Sequence, residues 1–393
     1  MIRDLGTWPG GKQSWGVAIN ERGQVVVLSE TAQTVVVLDK RFPVTRAFLW
    51  EKGRMRDLGA AFGGPGSWAA AITDRGQVAG QADLKPIAKT GHHVTHAFLW
   101  QEGKTIDLGT LGYVEKSGTE SSYAVDVNEH GQIVGESCRE VGTACHAFLW
   151  ENGKLTDLGT LGGVHTNAVD INNRGLAVGT SKAGVPSTNR SLNHRAFLWQ
   201  NGTMRDLGTL GGPRSGATAI NDRGQVVGSA SIITKAEKSG WLNGMFVEHA
   251  FLWQRGKMRD LRTLGGEFSR AVAINARGQV TGQAMTTAAQ SHGFLWSNGR
   301  MRDLGTLGGD LSEPTAINDR GQIVGWAATR ATDRNGEHVW HAFLWQNGKL
   351  TNLGTLGGKS QAAGINERGQ IIGWSETTSG KVHAVLWTLK PGS

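Results

Sequence analysis

A phrase close to His-Ala-Phe-Leu-Trp recurs eight times along the chain and constrains its fold more than any other feature. Its tryptophan stands at Trp50, Trp100, Trp150, Trp199, Trp253, Trp296, Trp345 and Trp387, with gaps of 50, 50, 49, 54, 43, 49 and 42 residues. Repeats of about 40 to 50 residues are typical of β-propeller blades when each repeat contains four short strands. The test of this interpretation is therefore the strand content of one repeat.

Residues 215–261 predict four strands joined by three turns or loops. Residues 215–221 alternate small and apolar side chains, and after an Asp-Arg-Gly turn residues 225–229 are rich in β-branched side chains. A longer loop leads to residues 249–253 and, after a tight turn, to residues 257–261. In other repeats that turn is Asn-Gly, a strong hairpin signal. Each repeat is therefore two hairpins, whose strands we name A, B, C and D in chain order.

Strand A carries mostly Ala, Gly and Ser, which suits the crowded centre of a ring of blades, so strand D belongs at the rim. Residues 1–6 read as a strand D without a preceding A, B and C, and residues 383–387 read as a strand C without a following D. We therefore predict an all-β fold. It is a single eight-bladed β-propeller over residues 1–393, with eight repeats of about 49 residues, four antiparallel strands per blade and a ring closed by the N-terminal strand completing the last blade.

Composition agrees with a globular chain. Glycine is frequent (58 residues) but proline is rare (8 residues), and 38% of residues are hydrophobic, which excludes collagen and proline-rich disorder. The N-terminus lacks the apolar core of a signal peptide, and no apolar run reaches about 18 residues. We therefore expect a cytoplasmic protein without a membrane partner, in which Cys138 and Cys145 are free thiols.

The phrases H-A-F-L-W-x-N-G, D-L-G-T-L-G-G and A-I-N-x-R-G-Q resemble the HAF repeat family of bacterial proteins, and the resemblance covers essentially the whole chain. That family is described by its repeats, so the resemblance implies little about activity. It also implies an extracellular location, which conflicts with the missing export signal.

A ring of basic or titratable side chains precedes the repeated Ala-Phe-Leu-Trp, at Arg46, His96, His146, Arg195, His249, His292, His341 and His383. Metal ligation needs three or four ligands near one point, whereas equivalent blade positions are spread around a ring. Pairing across Asn298-Gly299 places Phe294 opposite Asp303, so His292 lies diagonally beside Asp303. We therefore expect structural His–Asp hydrogen bonds and no metal.

A second basic ring lies in the A–B turns, at Arg22, Arg75, His130, Arg174, Arg223, Arg277, Arg320 and Arg368. An acidic residue precedes it in six of the eight repeats, so this face does not gather phosphates. The net charge of +8, from 41 basic and 33 acidic residues, is modest for this length and argues against nucleic acid. No Walker loop, nucleophile elbow, H-E-x-x-H or C-x-x-C motif is present, so we expect no cofactor and name no catalytic residue.

Differences between repeats concentrate on one face, formed by the B–C loops and the D–A links, which we call the top. All seven tryptophans outside the repeated phrase map on or near it: Trp8, Trp15, Trp68, Trp241, Trp326, Trp340 and Trp374. We predict an aromatic crescent of Trp15, Trp68, Trp326 and Trp374. The strand A position continues as Tyr123, Asn167, Gly216, Arg270, Glu313 and Gln361. The alternative is that these tryptophans only fill gaps between blades.

An aromatic mouth with a few polar groups suits a planar, peptidic or carbohydrate ligand. We predict a monomeric, non-catalytic protein that binds a small molecule or peptide and thereby sequesters it. The predicted binding residues are those of the crescent, the polar strand A residues, Trp241 and Trp340. Loop cations at Lys85, Lys89, Lys235, Lys238, Arg330 and Arg334 add a preference for anions. One alternative is a lyase or hydrolase resembling the streptogramin lyases, with acid–base groups among His92, His93, His165, Glu313 and His338. Another is a protein–protein interaction platform.

Overall fold

The computed structural model describes residues 1–389 apart from 38–39, 60–61, 85–93, 113–119, 139–143, 185–192, 234–240, 243–244 and 334–335. The described residues form 34 β-strands. They fall into two compact units, Met1–Asp157 with Gly354–Ser393, and Leu158–Leu353. Within the described residues no helix is long and apolar enough to span a bilayer.

The first unit begins with thirteen strands. They are β1 (Ile2–Gly6), β2 (Ser14–Ile19), β3 (Val25–Val37), β4 (Lys40–Glu51), β5 (Arg54–Asp57), β6 (Gly63–Ile72), β7 (Val78–Leu84), β8 (Thr95–Gln101), β9 (Lys104–Gly109), β10 (Ser121–Val127), β11 (Ile133–Cys138), β12 (Cys145–Glu151) and β13 (Lys154–Asp157). Strands β2–β5, β6–β9 and β10–β13 form three four-stranded antiparallel sheets in sequence order.

The second unit contains eighteen strands. They are β14 (Gly162–Ile171), β15 (Ala177–Ala183), β16 (His194–Gln200), β17 (Thr203–Asp206), β18 (Gly211–Ile220), β19 (Val226–Ile232), β20 (Trp241–Leu242), β21 (Met245–Phe246), β22 (Glu248–Gln254), β23 (Lys257–Asp260), β24 (Gly265–Ile274), β25 (Val280–Thr286), β26 (Ser291–Ser297), β27 (Arg300–Gly305), β28 (Gly308–Ile317), β29 (Ile323–Thr332), β30 (His338–Gln346) and β31 (Lys349–Asn352). β14–β17 form one four-stranded sheet and β18, β19, β22 and β23 another, while β20 and β21 pair with each other. β24–β27 and β28–β31 are two further sets of four, linked by a parallel bridge between Ser291 and Leu311.

The chain then returns to the first unit with β32 (Gly357–Ile365), β33 (Gln370–Thr377) and β34 (Val382–Thr388). β1 completes this last sheet by pairing antiparallel to β34, with Ile2 opposite Trp387. The N-terminal ammonium donates a hydrogen bond to the Thr388 carbonyl at 2.8 Å. The predicted pairing of the two ends is confirmed, whereas closure of a ring and a single domain stay predictions.

The predicted strand order within a repeat is confirmed. In the repeat chosen above, β18 pairs with β19, β19 with β22 and β22 with β23, all antiparallel. Strand A is longer than predicted. It starts at Gly211 rather than residue 215, because the Gly-Gly link also extends along the neighbouring strand and places Gly211 opposite Ile232.

The Asn-Gly turns have the conformation that the hairpin prediction requires. Asn298 (φ 50°) and Gly299 (φ 81°) are both left-handed, as a type I′ turn demands, and only Asn, Asp and Gly adopt this conformation cheaply. The turn sets the register so that Phe294 lies opposite Asp303. The predicted register is therefore confirmed.

The repeated phrase fills the space between neighbouring sheets. Phe251 is fully buried and Trp253 is 5% exposed, and both pack in one cluster with Leu176 and Val178 of the preceding sheet. The Arg205 guanidinium of that preceding sheet lies 5.3 Å from the Trp253 ring centroid, a cation–π distance. In this pair, the preceding sheet therefore covers the aromatic side chains of the next.

The A–B turns also join neighbouring sheets. The Asn221 side chain accepts hydrogen bonds from the backbone N–H groups of Arg223 and Gln225, and its amide donates to the Asn275 carbonyl of the next sheet at 2.9 Å. In the same turn, Asp222 accepts a hydrogen bond from the Asn173 backbone N–H at 2.8 Å. The A-I-N-x-R-G-Q phrase and its acidic residue thus hold adjacent sheets together, a more specific role than the solvated turn that we predicted.

The prediction of free thiols is wrong for this structure. Cys138 ends β11 and Cys145 begins β12, and the register places them directly opposite each other with 4.0 Å between their Cα atoms. The two sulfurs form a disulfide. The prediction failed because it was argued from the reducing compartment, whereas cross-strand pairing alone brings the two side chains into bonding distance.

Candidate functional site

The strand A position that was singled out from sequence lies opposite one strand B position in every four-stranded set. The eight register pairs are Trp15–Leu28, Trp68–Gln81, Tyr123–Glu136, Asn167–Thr180, Gly216–Ser229, Arg270–Gln283, Glu313–Trp326 and Gln361–Trp374. Directly opposite side chains share one face of a sheet and touch. The positions around each pair repeat the same small and apolar residues, so these pairs are where the repeats differ.

In the second unit, three of these positions form a polar network. Arg270 on β24 donates from Nε to Gln283 Oε1 at 3.0 Å and from a terminal nitrogen to Glu313 Oε1 at 3.2 Å. Gln283 in turn donates to Glu313 Oε2 at 3.1 Å. Gln283 is buried, Glu313 is half-buried and Arg270 is exposed. The network therefore fixes the Glu313 carboxylate at a surface that solvent reaches.

Two tryptophans extend this network along the neighbouring set of strands. Trp326 on β29 lies opposite Glu313 on β28, and the Trp326 and Trp340 rings are 5.7 Å apart between centroids and inclined by 52°. Both indoles are half-buried. We call Arg270, Gln283, Glu313, Trp326 and Trp340 the Glu313 cluster. It brings four sequence-predicted site residues together and adds Gln283, which the sequence argument missed.

The other three tryptophans of the predicted crescent and Tyr123 belong to the first unit. Trp68 is 38% exposed, while Trp15, Tyr123 and Trp374 are half-buried. Gln361 lies opposite Trp374, as the register requires. The crescent draws on residues of both units, and its continuity stays a prediction.

The two remaining tryptophans, Trp8 and Trp241, lie in different surroundings. Trp8 stacks on the fully buried Phe48 with 4.4 Å between ring centroids, so this tryptophan fills a gap, as the alternative interpretation expects. Trp241 begins the short strand β20, and its side chain lies outside the described residues. The loop cations Lys85, Lys89, Lys235, Lys238 and Arg334 also lie outside the described residues, and Arg330 is exposed.

A cavity of about 250 Å³ opens between the β14–β17 sheet and the sheet of β18, β19, β22 and β23. Its lining comprises Asn167, Thr180, His194, Arg214, Ser215, Gly216, Ser229 and Glu248. A side chain at Gly216 would meet the Thr180 hydroxyl at 3.0 Å, so the glycine keeps this opening free. Sequence reasoning missed His194, Arg214 and Glu248, although all three stand at positions that change from one repeat to the next.

The predicted His–Asp pairs are confirmed. His292 Nδ1 lies 2.8 Å from Asp303 Oδ2, and the equivalent pairs are His96–Asp107, His146–Asp157, His249–Asp260 and His383–Asp4, while Arg46 pairs with Asp57 in the same way. Burial acts to raise the pKa of Asp107, but hydrogen bonds from His96 and the Gly109 backbone outweigh it and hold that pKa below its usual range. These histidines therefore serve the packing of each sheet.

One sheet departs from this pattern. His341 Nδ1 lies 2.8 Å from the side-chain amide of Asn352, which stands where the other sheets have aspartate. Burial lowers the pKa of His341, and the Asn352 contact offsets this only in part. Without a carboxylate partner the imidazole is held neutral over a wider pH range.

The proposed acid–base residues are not assembled around one point in the described part of the chain. His92 and His93 lie outside the described residues. His165 is half-buried on β14, and the exposed His338 lies 3.9 Å from Asp310. Glu313 is held by Arg270 and Gln283, as described above.

No protein-family model and no curated protein matches this sequence. Solved structures do match. The β-propeller domain of the Trilobed protease from Pyrococcus furiosus, reported with an open velcro topology, matches with a TM-score of 0.50 and 9% identity over 87% of this chain and 98% of that chain. The Pyrococcus horikoshii acylaminoacyl peptidase has a TM-score of 0.42 and 11% identity, over 84% of this chain and 57% of that chain. TolB from Acinetobacter baumannii has a TM-score of 0.39 and 11% identity, over 93% and 80%.

At these identities the likeness concerns the fold alone. The first of the three structures, together with the four-stranded antiparallel sheets, assigns this chain to the β-propeller class of folds. The predicted all-β fold with four antiparallel strands per repeat is thus confirmed.

Proposed function

We propose that this chain is an eight-bladed β-propeller, closed by its N-terminal strand, that binds a small molecule or peptide without transforming it. The Glu313 cluster carries this proposal. It combines two inclined indoles with a carboxylate and a guanidinium whose positions are fixed by mutual hydrogen bonds. Indoles supply apolar contact area, and fixed polar groups orient a ligand.

The chemistry of the cluster favours binding over catalysis. Glu313 accepts a hydrogen bond from Arg270 on one carboxylate oxygen and from Gln283 on the other. A carboxylate held in one orientation by two donors of this chain suits the positioning of a ligand. It remains an acceptor for a ligand N–H or O–H group, while Arg270 donates to a ligand carboxylate or carbonyl.

The test is a ligand screen with two matched variants. The full chain is screened by ligand-detected NMR against short peptides and against small polar aromatic molecules, and hits are titrated by tryptophan fluorescence. Trp326→Ala and Arg270→Ala should each weaken a hit by about 10-fold or more, since one stacked indole is worth roughly 1 to 3 kcal/mol. Trp8→Ala, whose ring packs on Phe48, should leave affinity unchanged. A screen without hits, or hits that ignore both cluster variants, would reject the proposal.

A further inference from the structure

The β11–β12 hairpin carries three metal-ligating side chains on one face of its sheet. Glu136 and Cys138 are two residues apart on β11, and Cys145 on β12 lies directly opposite Cys138. One carboxylate oxygen of Glu136 and the two sulfurs all lie within 4.8 Å of one another. Both cysteines are buried, at 3% and 5% exposure.

The Glu136 carboxylate is the unusual member of this group. Its side chain is half-buried on β11. Among the described residues, Glu136 has no hydrogen-bond or ion-pair partner, whereas Glu313 accepts hydrogen bonds from Arg270 and Gln283. A half-buried carboxylate without a partner is costly, and a bound cation would remove that cost.

We propose that the dithiol form of this hairpin binds one Zn²⁺ through the Cys138 and Cys145 thiolates and the Glu136 carboxylate. A cellular dithiol supplies two electrons and two protons, which break the sulfur–sulfur bond and leave two thiols, and the dithiol itself becomes a disulfide. Zn²⁺ then replaces the two thiol protons, which pass to solvent. The zinc ion then has two thiolate ligands and one carboxylate ligand, and its fourth coordination position is open to water.

The geometry and the ligand types both favour zinc. Bonds of about 2.3 Å to sulfur and about 2.0 to 2.2 Å to oxygen place tetrahedral ligand atoms roughly 3.3 to 3.8 Å apart. The present separations are within 4.8 Å, so side-chain rotations can close the site without moving the strands. Thiolates select zinc over magnesium or calcium, which prefer oxygen ligands.

The experiment uses the full chain and Co²⁺ as a spectroscopic stand-in for Zn²⁺. Protein is reduced with a dithiol, which is then removed by gel filtration under argon, and thiol titration verifies two free thiols. Co²⁺ should then give the thiolate-to-cobalt charge-transfer absorption with one ion per chain, and Zn²⁺ should abolish it. Unreduced protein should show no such band.

Two matched variants assign the third ligand. Glu136→Gln keeps both thiols and the size of the side chain, and it should weaken Co²⁺ binding by at least about 10-fold. Glu102→Gln removes the same charge from an exposed turn of the neighbouring sheet, and it should bind as the parent does. The proposal is overturned if reduced protein gives no thiolate band, if unreduced protein gives one, or if Glu136→Gln binds as tightly as Glu102→Gln.

Discussion

Replacing Trp253 by alanine should destabilise the second unit far more than replacing Trp326. Trp253 is 5% exposed and packs with Phe251 and Leu176 between two neighbouring sheets, whereas Trp326 is half-buried at the surface. Removing a buried tryptophan costs about 3 to 5 kcal/mol, from lost burial and from the cavity that remains. Removing a half-buried one should cost roughly 1 to 2 kcal/mol.

The assay is thermal unfolding followed by circular dichroism, with ligand affinity measured on the same preparations. At about 2 to 4 °C per kcal/mol for a unit of 150 to 250 residues, Trp253→Ala should lower the melting temperature by about 6 to 20 °C. Trp326→Ala should lower it by a few degrees and reduce affinity instead. If Trp326→Ala loses as much stability as Trp253→Ala while binding fully, the Glu313 cluster is packing and the site lies elsewhere.

Three further perturbations test other contacts. Deleting residues 1–6 removes the partner of β34, including the buried Leu5, and should lower the melting temperature sharply; equal melting of the truncated and full chains would contradict the importance of this pairing. Asn221→Ala leaves hydrogen-bonding groups of two turns without a partner, so it should lower the free energy of unfolding in urea by about 2 to 3 kcal/mol. Arg223→Ala, at an exposed position of the same turn, should lower it by less than about 0.5 kcal/mol. Asn352→Asp should raise the pKa of His341 in an NMR titration, because a carboxylate stabilises the imidazolium. Since burial now lowers that pKa, the parent loses this part of its stability as the pH falls below about 6.5, and the variant should lose less of it; an unchanged His341 titration would refute the contact.

The repeats made much of the fold predictable. Strand order, the His292–Asp303 contact and the pairing of the chain ends follow from one repeated phrase, because the same residues make the same contacts in each repeat. The Gly211 extension was missed because a glycine pair looks like a turn in sequence, although it also fits extended backbone.

The candidate site was less predictable, because its contacts join different repeats. Sequence identified Arg270, Glu313 and Trp326 as variable positions, but only the structure shows that they meet and that Gln283 connects them. Trp8 shows the opposite error, since a tryptophan outside the repeated phrase proved to be packing. Aromatic content alone does not separate a ligand platform from a filled gap.

The sheet that contains both chain ends has a consequence for the order in which the protein folds during synthesis. Strands β14 to β31 are contiguous in sequence, so the ribosome releases a complete set of partners for the second unit before β32 exists. β1 must wait for β34, whose Thr388 is 387 residues away from the N-terminal ammonium that it binds. Closing so long a loop carries a large entropic cost. Until β34 has been synthesised, β1 has no strand partner in its own chain and is open to pairing with other nascent chains.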